Sequence, residues 1–353
     1  MQDLKISKKK PSYPITNKLH NYLQEYNRNI RLPIFYDDLL RFQGAVEVYD
    51  KDDKDTLWLR VFYNEFERQE IDFSLKRVYS MLISDGTEAI FKNLNIDAID
   101  FCTFGNSKPF RIKVRNILND NYTYFYVKKA DASRIYGLEF EHMLSPYYMN
   151  FLVYKDTLIE EHIAGIPGDE FIKSMLPKCT PLEKSQIAKE FVKFNERCMI
   201  RLLGDMRSYN YVIVPTHDFD NVIYKIRAID FDQQCYEGKF NVYRPQFFKE
   251  NLNMVELVKE KINLESVDQY KIEERSIIVR RMISFHKRVA KLLACMDEDQ
   301  LSTEAHIHML REQIYDFTLD MEFRKSENMG DIMRNALDFV KRNYETVNIN
   351  NLL

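Results

Sequence analysis

Glycine and cysteine are scarce in this chain of 353 residues, nine of the former and five of the latter. There is no GxSxG nucleophile elbow and no GxxxxGK[ST] phosphate loop, which removes the elbow hydrolases and the P-loop nucleotidases from consideration. Cys102, Cys179, Cys198, Cys235 and Cys295 are odd in number and widely scattered, and form neither CxxC pairs nor Cys/His metal spacings. They read as reduced thiols in a cytoplasmic protein. His306 and His308 stand two apart, on different faces of a helix, so they make no HExxH-type zinc pair. No apolar run approaches the ~18 residues of a membrane span. The basic start Lys8-Lys9-Lys10 leads into Pro11-Ser12-Tyr13-Pro14 rather than an apolar stretch, so neither secretion nor membrane insertion is expected. Net charge is also small, −3 with 30% charged residues, which gives no global pull towards nucleic acid or an anionic membrane. The aromatic residues, 13% of the chain, are interleaved with both charge signs and suit core packing better than base stacking, so no nucleic-acid partner is expected.

What is present divides into regions. Residues 1–14 read as a disordered tail and 15–95 as an N-terminal α/β extension of unknown role that could carry a protein partner. Within it, Leu57 to Tyr63 reads as a strand and Phe73 to Ile83 as a helix. The acidic turn Asp50 to Asp55 lacks the glycine and glutamate of a calcium loop and reads as a hairpin tip. From 96 to 163 the pattern is β-rich: Ile99 to Phe104, Phe110 to Val114 and Tyr122 to Lys129, a helix from Ala132 to Leu144, then strands at Phe151 to Tyr154 and Thr157 to Ile163. Five strands with a helix after the third make a small antiparallel lobe.

Residues 164–353 turn mainly helical. Thr180 as N-cap, Pro181 at the first helical position and Glu183 in capping-box position open a long helix, whose apolar face is Ile187, Phe191, Phe194, Cys198 and Leu202. Further helices are expected near Met254 to Ile262, Ser276 to Met296, Thr303 to Leu319 and Ile332 to Tyr344. The fold class is therefore α+β, and no internal repeat is visible.

The first long helix delivers the chain to Leu203-Gly204-Asp205-Met206-Arg207-Ser208-Tyr209-Asn210, and a hairpin later comes Ala228-Ile229-Asp230-Phe231-Asp232. Carboxylates and an amide on tight loops are the residue types that phosphoryl transfer needs: one to take a hydroxyl proton, others to offer hard oxygen ligands to magnesium. This pair of segments resembles the catalytic and metal loops of kinase-like phosphotransferases, especially the aminoglycoside and choline kinase branch, with its HGDxxxxN loop and IDF-acid strand. The resemblance runs in order over about residues 96–235 and implies a two-lobed protein-kinase-like fold using ATP and magnesium. It makes Asp205 the catalytic carboxylate, Asn210 and Asp230 metal ligands, and Asp232 a second metal contact or a loop-stabilising residue.

The same resemblance assigns nucleotide contacts upstream. Lys128, with Lys129 as its rival, would reach the phosphates, and Tyr126 on the same strand face could stack on adenine. Glu139 is preferred over Glu141 as the carboxylate that orients the lysine; residues two apart diverge by about 200° on a helix, so only one can do so. Backbone groups at His162, Ile163 and Ala164 would bond adenine, while Gly105, Asn106 and Ser107 occupy the phosphate-loop position. Two departures stand out: Leu203 replaces the branch's histidine, and the phosphate loop has a single glycine. The expected activity is Mg-ATP-dependent transfer to a hydroxyl-bearing acceptor, with a small molecule favoured. The departures motivate the alternative, a pseudokinase-like nucleotide-binding or scaffolding protein without turnover.

Overall fold

The computed structural model describes residues 10–50, 52–83, 91–104, 107–218 and 221–345. The architecture is α+β, and the chain forms two compact units, one built on a sheet and one mainly helical.

The sheet unit comprises Pro14–Asp131 and Met149–His162. Its strands are β1 (Gly44–Tyr49), β2 (Asp55–Phe62), β3 (Leu94–Cys102), β4 (Phe110–Asn116), β5 (Tyr122–Lys129), β6 (Phe151–Tyr154) and β7 (Thr157–Glu161). They form one antiparallel sheet in the order β1-β2-β3-β4-β5-β7-β6. Five of the seven were expected in the β-rich stretch, β2 matches the strand expected at Leu57 to Tyr63, and β1 is the addition. The β1–β2 hairpin, with the acidic turn at its tip, joins the others through Trp58 opposite Cys102 and Arg60 opposite Asp100. The β1–β2 hairpin of the N-terminal region is therefore part of this sheet.

Strand alternation sorts its side chains. Phe110, Ile112 and Val114 of β4 and Phe125 and Val127 of β5 enter a core shared with Leu75 and Val78, which lie on helix α3 (Glu65–Ile83). Two shorter helices, α1 (Asn17–Glu25) and α2 (Tyr36–Leu39), lie in the same unit and were not foreseen.

The helical unit contains Met1–Tyr13, Ala132–Tyr148 and Ile163–Leu353. Of the expected disordered tail, residues 1–9 lie outside the described residues. Tyr13, by contrast, is placed: its carbonyl accepts from the Ala132 N–H at 2.9 Å. Ala132 begins α4 (Ala132–Leu144), which groups with the helices although the sequence placed it in the β-rich lobe. Helix α5 (Pro181–Ile200) starts as predicted, with Glu183 Oε2 accepting from the Thr180 N–H at 2.7 Å and Thr180 Oγ1 from the Glu183 N–H at 3.3 Å. A three-stranded sheet, β10-β9-β8, follows from β8 (Ile166–Pro167), β9 (Tyr211–Asp218) and β10 (Asn221–Ala228).

The rest is α6 (Leu252–Lys261), α7 (Leu264–Ser284), α8 (His286–Met296), α9 (Glu304–Thr318) and α10 (Met329–Asn343). The stretch expected as one helix from Ser276 to Met296 is two, because the chain leaves helical geometry at Phe285. Buried ion pairs fix how α5 meets its neighbours: Arg197 with Glu274 at 2.7 Å, Arg275 with Glu196 at 2.5 Å, and Arg201 with Glu141. Pairs of this kind add little net stability over apolar packing but penalise any other register, since displacement strands a buried charge. Among the described residues no helix is long and apolar enough to cross a membrane.

Candidate active site

After α5 the chain reverses through two left-handed residues, Leu202 at φ 52° and Asp205 at φ 59°. Between them Gly204 passes close to the chain that follows Asp232: a Cβ there would lie 3.1 Å from the Gln233 carbonyl and 3.2 Å from Val242. Hydrogen bonds hold this path, from Gly204 N–H to Gln233 O and from Asp205 N–H to Val242 O, both 3.2 Å. Asn210 completes the loop, its Nδ2 donating to the Asp205 carbonyl at 2.8 Å, with Asp205 Oδ2 3.5 Å away. The five-residue spacing thus brings both side chains onto one loop. Leu203, which stands at the histidine position of the resembled family, is buried at 1% exposure.

A second layer fixes the loop from beneath. Asn251 is fully buried and uses its whole amide, donating to the carbonyls of Met206 (2.9 Å) and Pro245 (2.8 Å) and accepting from the Tyr211 hydroxyl (3.0 Å). Arg207 donates to Asp205 Oδ1 at 2.8 Å and to Glu250 Oε1 at 2.6 Å. Burial pushes the Asp205 carboxyl up to about 7; Arg207 opposes the rise, while the charges of Asp230 and Glu250 reinforce it.

The Asp230-Phe231-Asp232 segment lies against α4. A Cβ on Gly137 would come within 2.9 Å of Phe231 Cβ, so only glycine allows this approach. One turn earlier Arg134, its side chain 1% exposed, forms an ion pair with Asp232 and reaches within 3.6 Å of Asp230 Oδ1. Asp232 is thereby engaged with a guanidinium. Asp230 caps the Asp232 N–H at 3.0 Å and is the most exposed of the three acids, at 37% against 19% for Asp205 and 16% for Asp232.

Among the described residues no three His, Cys, Asp or Glu side chains group as a metal-binding set. Magnesium does not need such a set, because it keeps several waters and takes one or two protein oxygens besides phosphate. Asp230 with Asn210, whose Oδ1 accepts no hydrogen bond among the described residues, supplies hard oxygen donors of that number.

In the sheet unit, Lys128 is buried while Lys129 is exposed, and its ammonium meets Glu160 Oε2 at 2.5 Å. Tyr126 lies opposite Glu160 in the β5–β7 register, so Lys128 and Glu160 are diagonal neighbours on one face. Next along that face the Tyr126 hydroxyl sits 3.2 Å from His162 Nδ1. Burial pushes Tyr126 up to about 12, and burial with the nearby Arg111 charge pushes His162 down. The partner found for Lys128 is thus Glu160. Glu139 in the helical unit is held by a two-pronged bond from Arg288, at 2.7 and 3.0 Å, and Glu141 by Arg201.

Ser107 is half-buried; Gly105 and Asn106 of the same turn lie outside the described residues. Ile163 is buried and Ala164 exposed.

Arg134, Arg207, Glu250 and Glu160 all touch candidate site residues and were passed over in the sequence. Only Arg207 carried a local signal, two residues beyond Asp205; the others reach the site through tertiary packing. No family model and no curated protein matches this chain.

Proposed function

We propose that this protein is a magnesium- and ATP-dependent phosphotransferase of kinase-like, two-lobed organisation, acting on a hydroxyl-bearing acceptor, with a small molecule favoured. The observation that carries the reading is Asp205: a loop carboxylate tied to Asn210 by hydrogen bonds and raised to about 7 by burial. A base poised near working pH takes a hydroxyl proton efficiently and still releases it.

In this reading Asp205 accepts the acceptor's proton at Oδ2, while Arg207 holds Oδ1 and fixes the rotamer. Asn210 Oδ1 and Asp230 would hold magnesium, and Asp232 acts through Arg134 to keep the Asp230 loop in place. By the family resemblance Lys128, paired with Glu160, would take phosphate, and Tyr126 with the backbone at His162, Ile163 and Ala164 would take the base. Bound Mg-ATP supplies the phosphoryl group and spreads the charge that develops in transfer.

One observation favours the second reading, nucleotide binding without turnover. Arg134 lies 3.6 Å from Asp230 and competes with a metal cation for that carboxylate. The deciding experiment offers Mg-ATP with a panel of polyols, amino alcohols and nucleosides, and follows ADP release and phosphorylated product by mass spectrometry. Product from the wild type but not from Asp205→Asn supports the phosphotransferase. Nucleotide binding with no product from either protein, and no ADP from water, supports the second reading.

A further inference from the structure

Within the helical unit, α5, α6 and α7 enclose a cavity of about 140 Å³ that the proposed chemistry does not use. Its wall is apolar: Phe191 and Val192 from α5, Val258 from α6 and Val267 from α7 are each under 8% exposed. Leu264, 75% exposed at the start of α7, stands at the lining's outer end. Apolar cavities of about 150 Å³ stay dry and accept a guest the size of benzene.

Four polar residues break this wall: Asn195, the half-buried Gln246, the exposed Lys259 and Lys271. Asn195 is 7% exposed, and its Oδ1 accepts from the Gln246 N–H at 3.0 Å. Its Nδ2 makes no hydrogen bond among the described residues and is open to a ligand or water. Lys271 also lines the cavity with its side chain 16% exposed. Its nearest carboxylate, Asp268, is 3.8 Å away, beyond hydrogen-bonding distance. Burial pushes this lysine below its ordinary value; the nearby Arg275 and Arg244 push the same way, against Glu196 and Asp268. Glu196 is already paired with Arg275 at 2.5 Å. Two lysines and two amide residues therefore line an otherwise apolar volume, and the 3.8 Å separation of Lys271 from Asp268 leaves its ammonium able to donate to an anionic head group.

We propose that this cavity binds a small monocarboxylate with an apolar body about the size of a benzene ring, its carboxylate taken by Lys271 and Asn195. A neutral guest would fill the volume without using the lysine charge, while an ammonium would be repelled by Lys271. The inference stands on the helical unit alone and does not depend on phosphoryl transfer.

The test is a methyl NMR titration of the full chain with benzoate, with toluene and benzylamine as neutral and cationic counterparts. Benzoate should shift the methyl signals of Val192, Val258 and Val267 and bind at least tenfold more tightly than either counterpart. Lys271→Met should weaken benzoate at least tenfold while changing toluene affinity less than twofold. Lys271→Gln, which keeps a polar side chain, serves as the second variant, and unchanged methyl dispersion reports that each is folded. Absence of benzoate shifts at these methyls overturns the proposal, as does toluene binding as tightly as benzoate. Equal benzoate affinity in wild type and a folded Lys271 variant overturns it too.

Discussion

Arg207 Nε donates to Asp205 Oδ1 at 2.8 Å, and the same guanidinium reaches Glu250 at 2.6 Å, so the proton affinity that burial raises in Asp205 is tempered by one cation shared between two acids. Arg207 lowers that affinity and Glu250 raises it. If Asp205 is the base, activity rises with pH as it ionises. Arg207→Met should move that acid limb to higher pH, and Glu250→Gln to lower pH. The pH dependence of kcat/KM for the three proteins checks both signs; limbs that coincide would show that Asp205 is not the titrating base.

Asp230 and Asp232, two residues apart, should separate by role. Asp232→Asn leaves Arg134 buried beside a weakened partner and should cost roughly 3 kcal/mol of stability, within the range for broken buried pairs, while magnesium-dependent nucleotide binding persists. Asp230→Asn, at the more exposed carboxylate, should cost less stability and lose the magnesium dependence. Urea unfolding and ATP titrations with and without magnesium measure the two effects.

Lys128 and Glu160 provide a test of partner assignment. Lys128→Met should remove nucleotide binding, and Glu160→Gln should weaken it by leaving the ammonium without its carboxylate. Glu139→Gln, which unpairs Arg288 instead, should lower stability with little change in nucleotide affinity. Isothermal titration of the three variants distinguishes these outcomes; a larger loss of affinity from Glu139→Gln than from Glu160→Gln would reverse the assignment.

The Glu141–Arg201 pair predicts an acid-sensitive helical unit. Glu141 is buried; burial raises its carboxyl, but Arg201, Arg197 and the Ser145 hydroxyl outweigh this and hold it below the usual range. Because its folded value is depressed, the stability it contributes is present above the unfolded carboxyl value and is lost as pH falls through the folded one. Glu141→Gln should therefore destabilise most at neutral pH, by about 3–5 kcal/mol, and the gap to wild type should close as pH falls below about 4. Denaturant midpoints from pH 7 to pH 3 check this.

Local chemistry was legible in the sequence where one segment decides its own geometry. Thr180, Pro181 and Glu183 mark the start of α5 because a cap is settled within four residues. The Asp205-to-Asn210 spacing likewise closes a single loop. Partner choice across the chain was not legible. Glu160 is separated from Lys128 by a helix and a strand, and their meeting depends on β7 pairing with β5. Arg134 reaches Asp232 only because Gly137 lets α4 approach Phe231. The first half of α7 was missed because it carries Glu274 and Arg275 on its buried side, where ion pairs replace the apolar residues whose spacing announces a helix. Residues 15–95 gave no sign of joining the main sheet because that junction is a three-residue register between β2 and β3.

The central claim is a nucleotide site that depends on magnesium through Asp230. Thermal stability of the wild type and Asp230→Ala, with ATP and magnesium together and each alone, tests it most directly. At ligand a hundredfold above its dissociation constant, stabilisation should reach about 2.7 kcal/mol. The account predicts a shift in the wild type only when both ligands are present, and none in the variant. No shift in either protein at millimolar ATP, or the same shift in both, would contradict it.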